Sequence, residues 1–395
     1  MSATLMPNYA RLPVTFVKGD GAWLWDTEGT RYLDALSGIA VCGLGHAHPA
    51  VTSAICEQAN QLLHTSNIYG IAHQQTLADT LALLTGMETA FFGNSGAEAN
   101  EAALKIARLY GHNLGIEKPT VIVTEGSFHG RTLATLTATG NPKIQAGFAP
   151  LLEGFIRVPY NNVDAIAKVA KQHPEVVAVL VEPVIGEGGI VIPDDDYLAK
   201  LRALCDSHNW LLMLDEIQTG MGRTGKWCAY QHTDILPDVL TLAKGLGNGV
   251  PIGTCLARGK VAEIFKAGTH GSTFGGNPLV CRTALAVIET IEKENLLQRT
   301  TELGQRFHQG FTKALEGIKG VQDIRVKGLM IGIELDKPCR ELVSKALEQG
   351  LLINVTAERV VRLLPPLILS NTQADDIITT VSRIIREFLK APVVH

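Results

Sequence analysis

Short, almost uninterrupted apolar runs mark the middle of the chain: TAFFGN (89–94), TVIVTEG (120–126), VAVLVEP (177–183), WLLMLDE (210–216) and VLTLAKG (239–245). Their length and branched residues predict strands buried on both faces. Between them lie stretches such as AEANEAALKIARLYG and DDYLAKLRALCDSHN, where apolar residues recur at every third or fourth position. That spacing predicts helices with one buried stripe. Alternation of the two kinds predicts an α/β fold, a mostly parallel sheet covered by helices. From about Pro278 the pattern changes. One long helical pattern, PLVCRTALAVIETIEKENLLQRTTELGQRFHQGFTKALEGI, precedes the strand segments VKGLMIGIEL and VVRLLPP and an amphipathic helix, QADDIITTVSRIIREFLK. We expect a large domain over 49–277 and a smaller α+β domain over 278–395. The N-terminal segment, 1–48, packs with the small domain and carries a hairpin in AWLWDTEGTRYLDAL around Glu28-Gly29.

Composition narrows the class. Hydrophobic residues make up 46% and charged residues 19% of the chain, an ordinary globular balance. Lys plus Arg number 35 against 39 Asp plus Glu, for a net charge of -4, and neither sign gathers into blocks. This argues against nucleic acid or an anionic membrane as a partner. The uncharged stretch from Ala35 to Cys56 is broken by Gly43, Gly45, His46, His48 and Pro49, so it does not read as a membrane span. The N-terminus lacks the basic start and apolar core of a signal peptide, and a cytoplasmic protein is expected. The chain has 7 cysteines and no Cys-x-x-Cys pair, which suits reduced thiols. His46 and His48 have no third ligand nearby and read as a structural turn, so no metal site is expected. PDDDY (193–197) reads as a solvated turn that opens a helix.

In open α/β sheets, ligands gather at the carboxyl ends of the parallel strands. WLLMLD delivers Asp215 there, VLTLAK delivers Lys244, TAFFG runs into Asn94-Ser95-Gly96-Ala97, and VIVTEG runs into Ser127-Phe128-His129-Gly130-Arg131. Small residues at the start of a helix let an anion reach free backbone N–H groups at the positive end of the helix dipole, and a tight turn explains them as well. Lys244 lies between an apolar run and a string of glycines in TLAKGLGNGVPIG, which argues for a buried amine that loses charge and becomes nucleophilic. A base, an acid, an anion site and an aromatic face thus converge on one crevice.

The combination LDEIQTGMGRTGKW and TLAKGLGNGVPIG resembles the class III, or omega-amino-acid, branch of the pyridoxal-phosphate aminotransferases. The likeness runs through RYLDALSGIAVCGLGHAHP, FFGNSGAEANEAALKIAR, SFHGRT, EPVIGEGG, HGSTFGGNP and VVRLLPP, nearly the whole chain. It implies the fold type I architecture of PLP-dependent aminotransferases, the coenzyme pyridoxal 5'-phosphate, and a homodimer with a shared active site. By the same resemblance, Lys244 attaches the coenzyme and later moves a proton, and Asp215 faces the ring nitrogen. Ser95, Gly96 and Ala97 hold the phosphate, Phe128 stacks on the ring, and Glu216 and Gln218 lie in the coenzyme shell. Thr273 reaches the phosphate from the other subunit, with Ser272 near the substrate. Arg131 binds the amino donor, Arg362 takes the α-carboxylate of 2-oxoglutarate, and Glu187 masks Arg362 while the donor is bound.

The implied reaction moves the distal amino group of N2-acetyl-L-ornithine to 2-oxoglutarate, giving N-acetyl-L-glutamate 5-semialdehyde and L-glutamate, a step of arginine biosynthesis. Ile39 stands where ornithine-specific members are expected to carry a tyrosine, which favours an acylated donor. Succinylornithine, N-succinyl-diaminopimelate, ornithine and 4-aminobutyrate are the alternative donors. A reading of another class is a nucleotide-binding module built on GMGRTGK (220–226), which satisfies Gly-x-Gly-x-x-Gly and most of the Walker pattern. Against it, Trp227 stands where a Ser or Thr holds magnesium, and no amphipathic helix follows. A coenzyme-binding homologue without turnover is the third alternative.

Overall fold

A computed structural model describes residues 4–390. Strands are numbered in chain order. The central sheet contains β4 (Thr89–Gly93), β5 (Thr120–Thr124), β6 (Phe155–Val158), β7 (Val176–Val181), β8 (Leu211–Asp215), β9 (Val239–Leu242) and β10 (Gly253–Ala257), in the spatial order β4-β10-β9-β8-β7-β5-β6. From β9 to β6 every neighbouring pair is parallel. Every residue of β5, β7, β8 and β9 is buried, which is why these strands read as continuous apolar runs. β10 runs antiparallel to both β4 and β9, so the carboxyl ends of β4, β5, β7, β8 and β9 all open on one edge.

The helix Gly96–Asn113 crosses one face of this sheet on Ala99, Ala102, Ala103, Ile106 and Ala107. Alanines at these positions let its backbone lie close to the strands, and Ser95 caps its start by accepting a hydrogen bond from the Glu98 amide at 3.2 Å.

A second sheet joins the ends of the chain. β1 (Phe16–Asp20), β2 (Trp23–Asp26) and β3 (Arg31–Asp34) form antiparallel pairs, and β3 pairs in parallel with β13 (Leu351–Leu352). The third sheet, β11 (Val321–Lys327), β12 (Met330–Leu335), β15 (Val360–Leu363) and β14 (Asn354–Thr356), is antiparallel. The helices Leu296–Leu315 and Asn371–Lys390 pack on each other beside it.

The long helical pattern expected after Pro278 is two helices, Pro278–Lys293 and Leu296–Leu315, broken at Asn295 with φ +53°. Asn accepts that left-handed conformation because its short polar side chain bonds locally. The first of the two packs against the helices Pro49–Ala59 and Ala72–Thr85 rather than staying with the third sheet. VKGLMIGIEL, expected as one strand, is the inner part of the β11–β12 hairpin turning at Gly328. Among the described residues no helix is long and apolar enough to cross a membrane.

Candidate active site

The strand ends enclose a cavity of ≈ 380 Å³. Of the residues singled out in the sequence, Ser95, Gly96, Ala97, Phe128, Arg131, Glu187, Asp215, Gln218 and Lys244 line it. Lys244 follows β9 directly and takes φ +43°, a left-handed conformation that costs a non-glycine residue on the order of 1–2 kcal/mol. No hydrogen bond or ion pair engages its amine among the described residues. Burial lowers the proton affinity of the amine; Arg362 lowers it further, against the opposing pull of Glu187, Asp215 and Glu182. Such an amine is a ready nucleophile and base.

Asp215 ends β8 and is bound from several sides. Its Oδ2 accepts from His129 Nδ1 at 2.7 Å and from Asn100 Nδ2 at 2.8 Å, and its Oδ1 accepts from the Ile217 amide at 3.1 Å. At the start of the helix Gly96–Asn113, the amides of Gly96 and Ala97 have no partner among the described residues, leaving two donors aimed at the cavity. Gly253 of β10 permits this crowding, because a Cβ there would stand 2.2 Å from the Ser95 carbonyl oxygen.

Behind the lining residue Glu187, the Arg362 guanidinium of β15 is fully buried and pairs through Nη1 with Glu187 Oε1 at 2.8 Å, while its Nε donates to Asn354 Oδ1 at 3.0 Å. Burial raises the Glu187 pKa, but Arg362, Lys244 and Arg131 outweigh it and hold this carboxyl below its ordinary value. Arg131 is exposed at the mouth, its guanidinium 5.5 Å from the centre of the Phe128 ring.

Besides Arg362, three expected residues lie outside the cavity lining. Glu216 is fully buried but turned away from the cavity, where its carboxylate accepts from the Ala229 and Tyr230 amides at 2.8 Å each and from the Thr219 hydroxyl. It caps the turn at 229–232, which corrects its placement in the coenzyme shell. Thr273 is exposed and Ser272 half-buried, outside the cavity lining of the single chain. Ser272 touches the site through Asn94, whose Nδ2 donates to its hydroxyl at 3.4 Å. Ile39 packs with Val184, Ile190, Met330 and Leu364, and Val41 of the same turn lines the cavity instead.

Sequence reasoning missed Glu182, His129 and Asn100 as site residues. Glu182 follows β7, lines the cavity, and accepts from the Phe128 amide at 2.8 Å and the Gly186 amide at 3.0 Å. Burial and then the nearby Asp215 push its pKa up to about 7. The strand-end rule that located Asp215 points equally to Glu182.

The GMGRTGK loop holds no nucleotide site. Gly220 through Gly225 are buried, and Arg223 Nη1 donates to the carbonyls of Leu329 at 3.3 Å and Pro365 at 2.5 Å. The loop is a plug against the third sheet, and the nucleotide-binding alternative falls with it.

The fold and this cavity define an aminotransferase of class III: the class-III aminotransferase family model matches residues 4–385, and the chain belongs to that family. Among individual relatives, the acetylornithine aminotransferase of Nitrosomonas europaea is 59% identical over 389 residues, covering 98% of this chain and 99% of the relative. The structure of an acetylornithine aminotransferase from Elizabethkingia anophelis superposes with a TM-score of 0.86 at 34% identity, covering 97% of this chain and 96% of that one. The ornithine aminotransferase of Toxoplasma gondii, whose active site is partly occupied by PLP, superposes with a TM-score of 0.94 at 36% identity, covering 98% of this chain and 94% of that one.

Proposed function

We propose that the cavity binds pyridoxal 5'-phosphate and that the protein transfers the distal amino group of N2-acetyl-L-ornithine to 2-oxoglutarate. The products are N-acetyl-L-glutamate 5-semialdehyde and L-glutamate. One observation carries this reading: an amine with no partner among the described residues, Lys244, shares a cavity with a fixed carboxylate, Asp215, and with Glu187, the acid that masks the buried Arg362. The names of the relatives favour the acetylated donor.

The lining suits the coenzyme. Free amides at Gly96 and Ala97 match a phosphate. Phe128 and Ile217 offer apolar surface to a flat ring, and Gln218 Oε1 is a buried acceptor with no partner among the described residues. When bound, the coenzyme supplies an electron sink and carries the amino group between the two half-reactions.

The chain's own residues do the rest. Lys244 Nζ would hold the coenzyme and, once freed by the donor amine, would serve as the base that moves a proton between neighbouring carbons. Asp215 favours a proton on the ring nitrogen. Arg131 at the mouth receives the donor's carboxylate through a planar guanidinium. Glu187 neutralises Arg362 while the donor, which has no carboxylate at its reacting carbon, is present. It releases Arg362 to the α-carboxylate of 2-oxoglutarate in the second half.

The working form in this reading is a homodimer. Leu62, Leu63, Ile68, Tyr69 and Phe274 are exposed around Thr273, and Asn67 Nδ2 ties the two segments by donating to the Ser272 and Gly275 carbonyls at 3.0 Å each. A second copy covering this apolar face brings Thr273 to the neighbouring cavity.

The test is the visible absorption of the protein loaded with pyridoxal 5'-phosphate while N2-acetylornithine, ornithine and 4-aminobutyrate are added separately without oxo acid. The coenzyme band is expected to bleach fastest with N2-acetylornithine. Bleaching with another amine alone moves the donor, and a protein that takes up no coenzyme overturns the reading.

A further inference from the structure

Asp215 is held by a relay that begins at Asn100, five residues past the N-cap Ser95. Asn100, fully buried in the second turn of the helix Gly96–Asn113, donates from Nδ2 to Asp215 Oδ2 and to the His129 carbonyl, both at 2.8 Å. Both partners are acceptors, so the amide nitrogen and not the amide oxygen must lie there. The amide oxygen is left to Thr241, whose Oγ1 donates to it at 2.8 Å from the middle of β9. Thr241 is itself buried and stands three residues before Lys244.

We propose that Asn100, oriented by Thr241, is a positioning residue that fixes the Asp215 carboxylate as a pure acceptor aimed into the cavity. This rests on the reading of the cavity as a pyridoxal-phosphate site.

Burial disfavours the charged form of an acid. Glu182, past the end of β7, and Glu216, next to Asp215 past the end of β8, are as deeply placed, and burial lifts both pKa values to about 7. On Asp215 two N–H donors fill one oxygen, so that oxygen is met only by hydrogen-bond donors. An amide nitrogen cannot turn into an acceptor, whereas a hydroxyl or an acid at position 100 can present either a proton or a lone pair. The two acceptors facing Nδ2 hold the amide against a flip, and Thr241 Oγ1 completes its orientation by donating to the amide oxygen. The same amide also pins the carbonyl of His129, so it locks the second donor to Asp215 and the Phe128 loop together.

Asn100→Asp reverses this chemistry at nearly constant volume. It sets two carboxyls at hydrogen-bond distance, and such a pair shares one proton. Asp215 then ceases to be a full negative charge facing the ring nitrogen.

The experiment loads wild-type protein and variants with pyridoxal 5'-phosphate labelled with 15N in its ring and records the nitrogen chemical shift from pH 6 to 9. In wild type the nitrogen is expected to stay protonated throughout. In Asn100→Asp it is expected to move to the unprotonated shift within this range, with coenzyme affinity falling by about tenfold or more, the equivalent of one unit of proton affinity. Thr241→Val is expected to shift it in the same direction by less, and Thr241→Ser, which restores the hydroxyl, to match wild type. Wild-type shifts in a folded Asn100→Asp protein overturn the proposal. If that variant does not fold, an unaltered shift in Thr241→Val overturns it instead. A wild-type protein that binds no coenzyme overturns the cavity reading beneath it, an outcome separate from unchanged variants.

Discussion

Two glycine-rich loops leave neighbouring parallel strands and meet opposite fates. GMGRTGK (220–226) lies beyond β8, and TLAKGLGNGVPIG (241–253) continues from β9. Each carries a cation among glycines. In the first, the Arg223 guanidinium is consumed by the backbone carbonyls of Leu329 and Pro365, and Gly328 of the β11–β12 turn comes so close that a Cβ there would stand 2.6 Å from the Arg223 carbonyl oxygen. In the second, Lys244 has no such partner and faces the cavity. Glycines allow close approach, but what approaches decides the role. In one loop it is another sheet; in the other it is open space lined by polar groups.

The sharpest break between the loops comes from removing each cation. Lys244→Ala is expected to lower turnover on the order of 10⁴-fold, the scale of a lost nucleophile and general base, with the melting temperature of the coenzyme-free protein unchanged. Arg223→Met does the converse. Two buried carbonyls lose a charged donor, and stability is expected to drop on the order of 2–4 kcal/mol, while folded molecules keep their turnover. Steady-state rates and denaturant melts on both variants separate the roles. A stable Arg223→Met protein, or an unstable Lys244→Ala one, breaks the contrast.

Smaller changes sharpen it. Gly225 has φ +89°, and a Cβ there would stand 2.4 Å from Thr301 Oγ1 on the helix Leu296–Leu315. Gly249 has φ +110° but meets nothing closer than Cys42 Sγ at 4.0 Å. Both alanine variants carry the backbone strain, and Gly225→Ala adds overpacking. We expect a loss of about 2–3 kcal/mol for Gly225→Ala and about 1–2 kcal/mol for Gly249→Ala. Because Gly249 lines the cavity, its variant alone is expected to raise the KM of an amino donor. Equal stability losses, or a KM change at Gly225, would contradict this.

The same contrast shows what a sequence exposes. Strands buried on both faces were legible because they are continuously apolar, and Asp215 and Lys244 were legible because they end such runs. β10 was not, since GTCLA follows a glycine string and reads as more loop. Glu216 was placed by motif in the coenzyme shell, but it directly follows Asp215 at the end of β8, where adjacent side chains point to opposite sides, and its side met the turn at 229–232. Asn100 left one trace: it stands on the stripe shared with the buried Ala103 and Ala107, where an apolar residue is expected. Two of its three partners, Asp215 and Thr241, are more than a hundred residues away. The fate of the GMGRTGK loop was hidden for the same reason, since the carbonyls that take up Arg223 belong to positions 329 and 365.

A third region tests whether strain near the cavity is held by charge. Ser37, Gly38, Ile39 and Ala40 have φ of +52°, +63°, +66° and +62°, a left-handed turn that is unfavourable for its three non-glycine residues and delivers Val41 to the cavity. Asp34 anchors it: Oδ1 accepts from the Leu36 amide at 2.9 Å and the Ser37 amide at 2.8 Å, and Oδ2 meets His46 Nε2 at 2.8 Å. Burial lowers the His46 pKa, but the bond to Asp34, aided by Cys42, outweighs it and raises the value from 6.5 to about 9. The folded state therefore binds this proton more tightly than the unfolded chain does. The stabilisation is fully present below pH 6.5, declines above it, and is lost as pH rises through about 9. With the ring's exposed edge discounted for screening, the loss is expected to be on the order of 1–2 kcal/mol. Urea melts between pH 6 and 10 measure it. His46→Gln should be less stable than wild type at pH 6 and should flatten the decline, whereas an equal decline in both proteins assigns the pH dependence to other groups.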